Sequence, residues 1–123
     1  MRPHPSFFFY PPLPLLPLCA DEGQSWAAPR VVSELSGNAT CEGSLLAHGR
    51  KLFFSHPQAS TRERLTIRSS ADGNHWPGGT GELLVHAGGS AYSSLGSTSK
   101  GELAVLWEAD GKDLAFATTS HFN

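Results

Sequence analysis

Charge, cysteine and tyrosine are all scarce in this chain. Charged residues make up 16% of its 123 residues, both signs are mixed, and the formal net charge is -2. That balance offers no basic surface for nucleic acid or for an anionic membrane. The two cysteines, Cys19 and Cys41, could pair or stay free, and they do not define a redox compartment. There is no Cys-x-x-Cys, no pair of histidines four residues apart and no carboxylate cluster at metal-ligand spacing. The six histidines are scattered, so no metal site is expected. Helical periodicity is missing from every segment, and no apolar run is long enough to span a bilayer as a helix.

Glycine and short apolar runs are what the chain does have. The 13 glycines punctuate stretches that read as strands. Gly43 to His48 is one, and Lys51 to Ser55 follows after the Gly49 turn. Arg64 to Ser70 alternates, with Leu65 and Ile67 set against Thr66 and Arg68, as a half-buried strand does. Glu82 to His86, Ala91 to Ser97, Glu102 to Trp107 and Leu114 to Thr119 complete the set. An all-β domain over residues 19–123 is expected.

Residues 1–18 differ. Arg2 and His4 precede an apolar, proline-rich stretch from Phe7 to Leu18, and Ala20 follows. This is the outline of a signal peptide, but its prolines remove helix donors, and cleavage after Ala20 would cut a turn motif. A misplaced start, reading non-native sequence into the domain, fits the leader better. Asn38-Ala39-Thr40 is an N-glycosylation sequon that matters only on a secretory route.

A turn repeats. Cys19-Ala20-Asp21-Glu22-Gly23-Gln24-Ser25-Trp26 is followed fifty residues later by Ser69-Ser70-Ala71-Asp72-Gly73-Asn74-His75-Trp76. Gly and Trp keep their places, while the Asp position of the first copy is Ala71 in the second. In such a turn an Asp can bond backbone amides, Gly accepts positive φ, and the Trp plugs the sheet below. Two copies in register point to a radial β repeat. The plainer alternative is two unrelated hairpin turns beside core tryptophans.

The chemistry-bearing residues are few. Tyr92 sits in the small and hydroxyl run Gly88-Gly89-Ser90-Ala91-Tyr92-Ser93-Ser94-Leu95. Arg62 and Arg64 stand about thirty positions earlier by count along the chain. Read singly, Tyr92 could be a rim or core tyrosine and Arg62 a solvated arginine.

Taken in order, these pieces resemble the exo-α-sialidase (neuraminidase) family. The resemblance rests on the two turns, Cys41-Glu42-Gly43-Ser44-Leu45-Leu46, Phe53-Phe54-Ser55-His56-Pro57, Arg62-Glu63-Arg64-Leu65-Thr66-Ile67-Arg68, Ser90-Ala91-Tyr92-Ser93-Ser94-Leu95 and Leu106-Trp107-Glu108. It implies that residues 19–123 are the C-terminal part, about two blades, of a six-bladed β-propeller. Residues 42–88 would form one whole blade, 91–121 three strands of another, and the strands before the first turn would be absent.

The resemblance also implies roles. Tyr92 matches the nucleophile, a neutral group suited to an anomeric carbon that already carries a carboxylate. Arg62 matches one of three arginines that hold that carboxylate through the guanidinium fork, with Arg64 as an assignment two residues away. Arg68, within the strand, reads by position as structural or surface. Glu108 matches a glutamate that orients an arginine not found in this chain, and Glu42 stands beside the pocket where relatives often carry Gln. The plain alternatives are surface carboxylates. The implied activity is release of terminal sialic acid from glycoproteins, gangliosides and oligosaccharides, without a cofactor. Sialylated glycans are the implied partners, with membrane contact only through gangliosides. The first two arginines, the general base and the acid have no match here, so the chain is expected to be inactive alone. The competing expectation is a non-catalytic glycan-binding or interaction module. The resemblance leaves lysosome, membrane-associated and cytoplasmic locations open.

Overall fold

The computed structural model describes residues 8–10, 13–17, 19–35, 37 and 40–122, with backbone only for 8–16. Asn38 and Ala39 of the sequon lie outside the described residues. Among the described residues all regular structure is β apart from two single-turn 3-10 helices, Ser33–Leu35 (η1) and Gly79–Gly81 (η2). No helix among the described residues is long and apolar enough to cross a membrane.

Strands β1 (Phe8–Tyr10), β2 (Leu13–Leu16) and β3 (Arg30–Val31) form a small antiparallel sheet in chain order. The first glycine turn therefore lies between β2 and β3. Part of the expected leader is paired as strand, and the expectation that no strands precede this turn does not hold.

Strands β4 (Ser44–His48), β5 (Lys51–Pro57), β6 (Glu63–Ser70), β7 (Glu82–Ser97), β8 (Leu103–Ala109) and β9 (Asp113–Thr119) follow one antiparallel order. The sequence suggests two strands over 82–86 and 91–97. The chain instead makes one strand of 16 residues. Its first half pairs with β6 and its second half with β8. Gly88 and Gly89 lie at this change of partner. A Cβ on Gly88 would stand 2.9 Å from the Asp110 carboxylate, and one on Gly89 would stand 3.1 Å from Asp110 Cα. The glycines let the β8–β9 turn approach the strand closely instead of ending it.

Two cores follow from the period-2 alternation of β5. Phe53 packs with Leu65, Ile67, Leu103, Val105, Trp107 and Ala109, between the two halves of the sheet. Leu52 and Phe54 point the other way, onto Val32, Leu35 and Trp76. That second layer explains a departure from the half-buried pattern expected for β6: Thr66 is as buried as Leu65 and Ile67. On β8 the alternation is simple, with Leu103, Val105, Trp107 and Ala109 inward and Leu106 and Glu108 outward.

The repeated turns use one logic with different spacing. In the first, Asp21 Oδ1 accepts from the Ser25 N–H at 2.8 Å, and Cys19 Sγ accepts from the Gly23 N–H at 2.7 Å. In the second, Asp72 Oδ1 accepts from the N–H groups of Asn74 and His75, at 2.8 and 2.9 Å, and Ser70 Oγ from the Gly73 N–H at 2.8 Å. The acceptors have each moved one residue toward the glycine, so Asp72 does what the aligned Ala71 cannot. Gly23 and Gly73 both have positive φ, 92° and 74°, which glycine adopts without steric cost. The tryptophans part company. Trp76 is fully buried and its Nε1–H reaches the Gly73 carbonyl, whereas Trp26 is 41% exposed and leans over Gly23. Only the second fills the plugging role expected of both. Trp76 has the Phe54 ring against it, 6.3 Å away.

Arg68 is structural. Its guanidinium pairs with Glu82 at 2.6 Å and donates to the Trp76 carbonyl and to Gln58 Oε1.

Candidate functional site

Tyr92 owes its position to a β-bulge. Ser90 pairs with Ala109 and Ser93 with Trp107, so Ala91 and Tyr92 together oppose Glu108. An extra residue on one strand re-aims a side chain and raises local twist. Ser93 turns inward, its Oγ 2.8 Å from Ser55 Oγ, and Tyr92 is left 46% exposed. Its backbone N–H donates to Glu108 Oε2 at 3.3 Å. Glu108 thus meets Tyr92 directly, whatever else it orients.

A second irregularity sets the arginines. Between Glu63 and Leu65 the register of β6 against β7 shifts, and it shifts again before Thr66. Arg64 lies there with φ 60°, a conformation unusual for a side-chain-bearing residue. Its carbonyl accepts from the Gln58 N–H and from Thr66 Oγ1. The shared strand parity that makes Arg62 and Arg64 interchangeable in sequence is broken at this point. Arg62 is the one beside the tyrosine: its guanidinium carbon lies 5.5 Å from the Tyr92 ring centroid, within cation–π range. One guanidinium N–H donates to the Thr40 carbonyl at 2.8 Å. The Arg62 carbonyl accepts from the Ser90 N–H, also at 2.8 Å.

Glu42 follows two residues after Thr40 and is exposed. Cys41, between them, is buried and not in a disulfide, as is Cys19. Burial pushes the Cys41 thiol up, the Arg62 charge opposes this, and Glu108 and Glu42 reinforce it. The three charges therefore act on one buried side chain. Gly43 completes the segment: a Cβ there would fall 2.6 Å from the Phe54 ring, so the chain can pass this close only as glycine.

The structure brings Arg62, Tyr92 and Glu108 together, with Glu42 in the adjoining segment, and leaves Arg64 and Arg68 to other duties. Sequence reasoning missed the Thr40 carbonyl, the buried Cys41 and both bulges. The Gly88-Gly89 pair was the available signal for the change of partner along β7. Among the described residues nothing hydrogen-bonds the Tyr92 hydroxyl. No three His, Cys, Asp or Glu side chains among them stand together as a metal site requires.

No protein-family model matches the chain, and no curated protein matches it by sequence. Among solved structures the fold is similar to the intramolecular trans-sialidase from Ruminococcus gnavus, determined in complex with oseltamivir carboxylate. The identity is 18% and the TM-score 0.60, over 79% of this chain and 24% of that one. The chain thus spans about a quarter of that protein's length. The likeness shows a sialidase-like fold: all-β, with a curled antiparallel six-stranded sheet like part of a β-propeller.

Proposed function

We propose that this chain carries the nucleophile side of an exo-α-sialidase site, acting in its full form on terminal sialic acids of glycoproteins, gangliosides or oligosaccharides. The observation that carries this reading is the Arg62 guanidinium over the Tyr92 ring, with Glu108 on the Tyr92 N–H. Arg62 would hold the sialic acid carboxylate. Tyr92 Oη would attack the anomeric carbon and lose its proton to a base as the glycosidic bond breaks. An acid would protonate the departing oxygen. Water would then displace the tyrosine, giving retention over two steps. An unperturbed phenol titrates near pH ~10, so the base is indispensable. Base, acid and further arginines have no match in this chain, which is therefore expected to be inactive alone.

A Tyr92 hydroxyl with no partner among the described residues favours a second reading, a glycan-binding module without turnover. Arginine-selective dicarbonyl modification, read by mass spectrometry, tests the substrate class common to both. Sialic acid is expected to slow modification of Arg62 and galactose to leave it unchanged. Equal protection by both sugars, or by neither, contradicts the reading.

A further inference from the structure

The β8–β9 turn meets β7 where the ladder is weakest. Ser90–Ala109 is the last pair before the bulge that carries Ala91 and Tyr92, and on its other side β7 leaves β8 for β6. Such a pair holds little by itself, because a bulge disrupts the ladder beside it. Asp110 supplies the rest. Its backbone N–H donates to the Gly89 carbonyl at 2.8 Å, and its Oδ1 lies 3.4 Å from His86 Nε2. Gly88 leaves room for this meeting: a Cβ there would stand 2.9 Å from both Asp110 Oδ1 and His86 Nε2. Asp110 holds φ 52°, a positive value that Asp tolerates better than most residues. Next along β7, Ser90 gives its N–H to the Arg62 carbonyl at 2.8 Å. A short path of bonds thus runs from His86 through Asp110, Gly89 and Ser90 to Arg62 and Tyr92.

We propose that His86 and Asp110 are positioning residues: their pair pins the β8–β9 turn to β7 and sets the place of the Arg62–Tyr92 rim, more firmly when His86 carries a proton. The consequence for sialic acid rests on the reading of Arg62 as the carboxylate holder. Neither residue is catalytic, and both act through the backbone of Gly89 and Ser90. The strands beside His86 also bring charges. Glu63 and Arg64 come from β6, which pairs Leu65 with His86 and Glu63 with Gly89. Glu108 comes from β8, next to the Trp107 ring that His86 meets at 5.8 Å. Substituting His86 leaves all three in place.

A heteronuclear NMR pH titration of the chain tests it, between about pH 5 and pH 8, the range in which a histidine changes charge. Sialic acid affinity is measured at both ends. The amides of Ser90, Ala91 and Tyr92 are expected to shift with the same midpoint as the His86 ring protons. Sialic acid is expected to bind about threefold more tightly at the acid end, the scale of one exposed ion pair. Asp110→Gly keeps the positive φ without steric cost and removes the carboxylate, and His86→Gln removes the titration. Both variants are expected to lose the shared midpoint and the pH dependence of affinity. A mere through-space effect of the His86 charge would survive in Asp110→Gly, and its survival there overturns the proposal. Amides that ignore His86 in the parent, or equal affinity at both ends, also overturn it and leave the sialidase reading standing. A shared midpoint lost in both variants, with no sialic acid binding by any of the three chains, supports the pinning and overturns the sialidase reading. Neither a shared midpoint nor sialic acid binding overturns both.

Discussion

The Arg62 guanidinium lies over the ring of Tyr92, 5.5 Å from its centroid, and a backbone bond from Ser90 to the Arg62 carbonyl holds the two strands in that register. The ring is 46% exposed, so the contact is worth about 0.5–1 kcal/mol. Arg62→Ala is therefore expected to lower unfolding free energy by no more than about 1 kcal/mol in urea denaturation. Arg62→Lys keeps a cation but loses the planar fork, and is expected to retain stability while losing sialic acid. Equal sialic acid binding by the lysine variant would argue against bidentate recognition.

Gly43 keeps the Glu42 segment against the core. Alanine there would collide with the Phe54 ring and the Ser55 carbonyl, both fully buried residues. A loss of about 1–3 kcal/mol is expected from such overpacking. A Cβ on Gly96 meets nothing within 4 Å, and Gly96→Ala is expected to stay within about 0.5 kcal/mol. Comparable losses in the two variants would show that the close approach at Gly43 is not real.

His56 gives the fold an acid limit. It is 6% exposed and its ring stacks on Phe54 at 4.9 Å. Burial first, and then the Arg68 charge, push its pKa down to about 4, against about 6.5 for an unfolded histidine. Between those values the unfolded chain takes up a proton that the folded chain refuses. Stability is fully present above about pH 6.5 and falls as pH drops toward 4, by at most about 3 kcal/mol from this group. Denaturation midpoints across that window check the sign. His56→Leu is expected to flatten the slope there, and an unchanged slope would remove His56 as its source.

The outer face of the β8–β9 pair carries Leu106, Leu114 and Phe116, at 44%, 73% and 65% exposure, beside the β9 edge. Apolar edges of this kind promote association. Phe116→Lys is expected to raise the monomer fraction in light scattering, with a stability change within about 0.5 kcal/mol. Association unchanged by this substitution would place the sticky surface elsewhere.

What could be read from the sequence had a local cause. Leu65 against Thr66, and Leu103, Val105 and Trp107 against their neighbours, announce strands through period-2 alternation. Gly23 and Gly73 announce turns because few other residues accept their φ. What could not be read depended on distant partners. Thr66 is buried because Val32, Leu35 and Trp76 cover that side of the sheet. Asp72 caps its turn from a position the repeat does not assign to it. Tyr92 and Arg62 were visible as residue types at a telling interval, but the two register shifts around Arg64, which leave Arg62 as the arginine beside Tyr92, make no mark in composition or periodicity.

Incompleteness of the site has its own check. With a fluorogenic sialoside, the chain is expected to release no more product than its Tyr92→Phe variant. Tyr92-dependent hydrolysis by the chain alone would mean that base and acid are already within it.

The most direct measurement is a heteronuclear NMR titration of the chain with sialic acid, following the Arg62 side-chain N–H and the backbone amides of Ser90, Ala91 and Tyr92. Saturable shifts at these groups are expected, absent with galactose and abolished by Arg62→Ala. No shift at these groups, or shifts that persist unchanged in Arg62→Ala, would contradict the assignment of this rim as a sialic acid site.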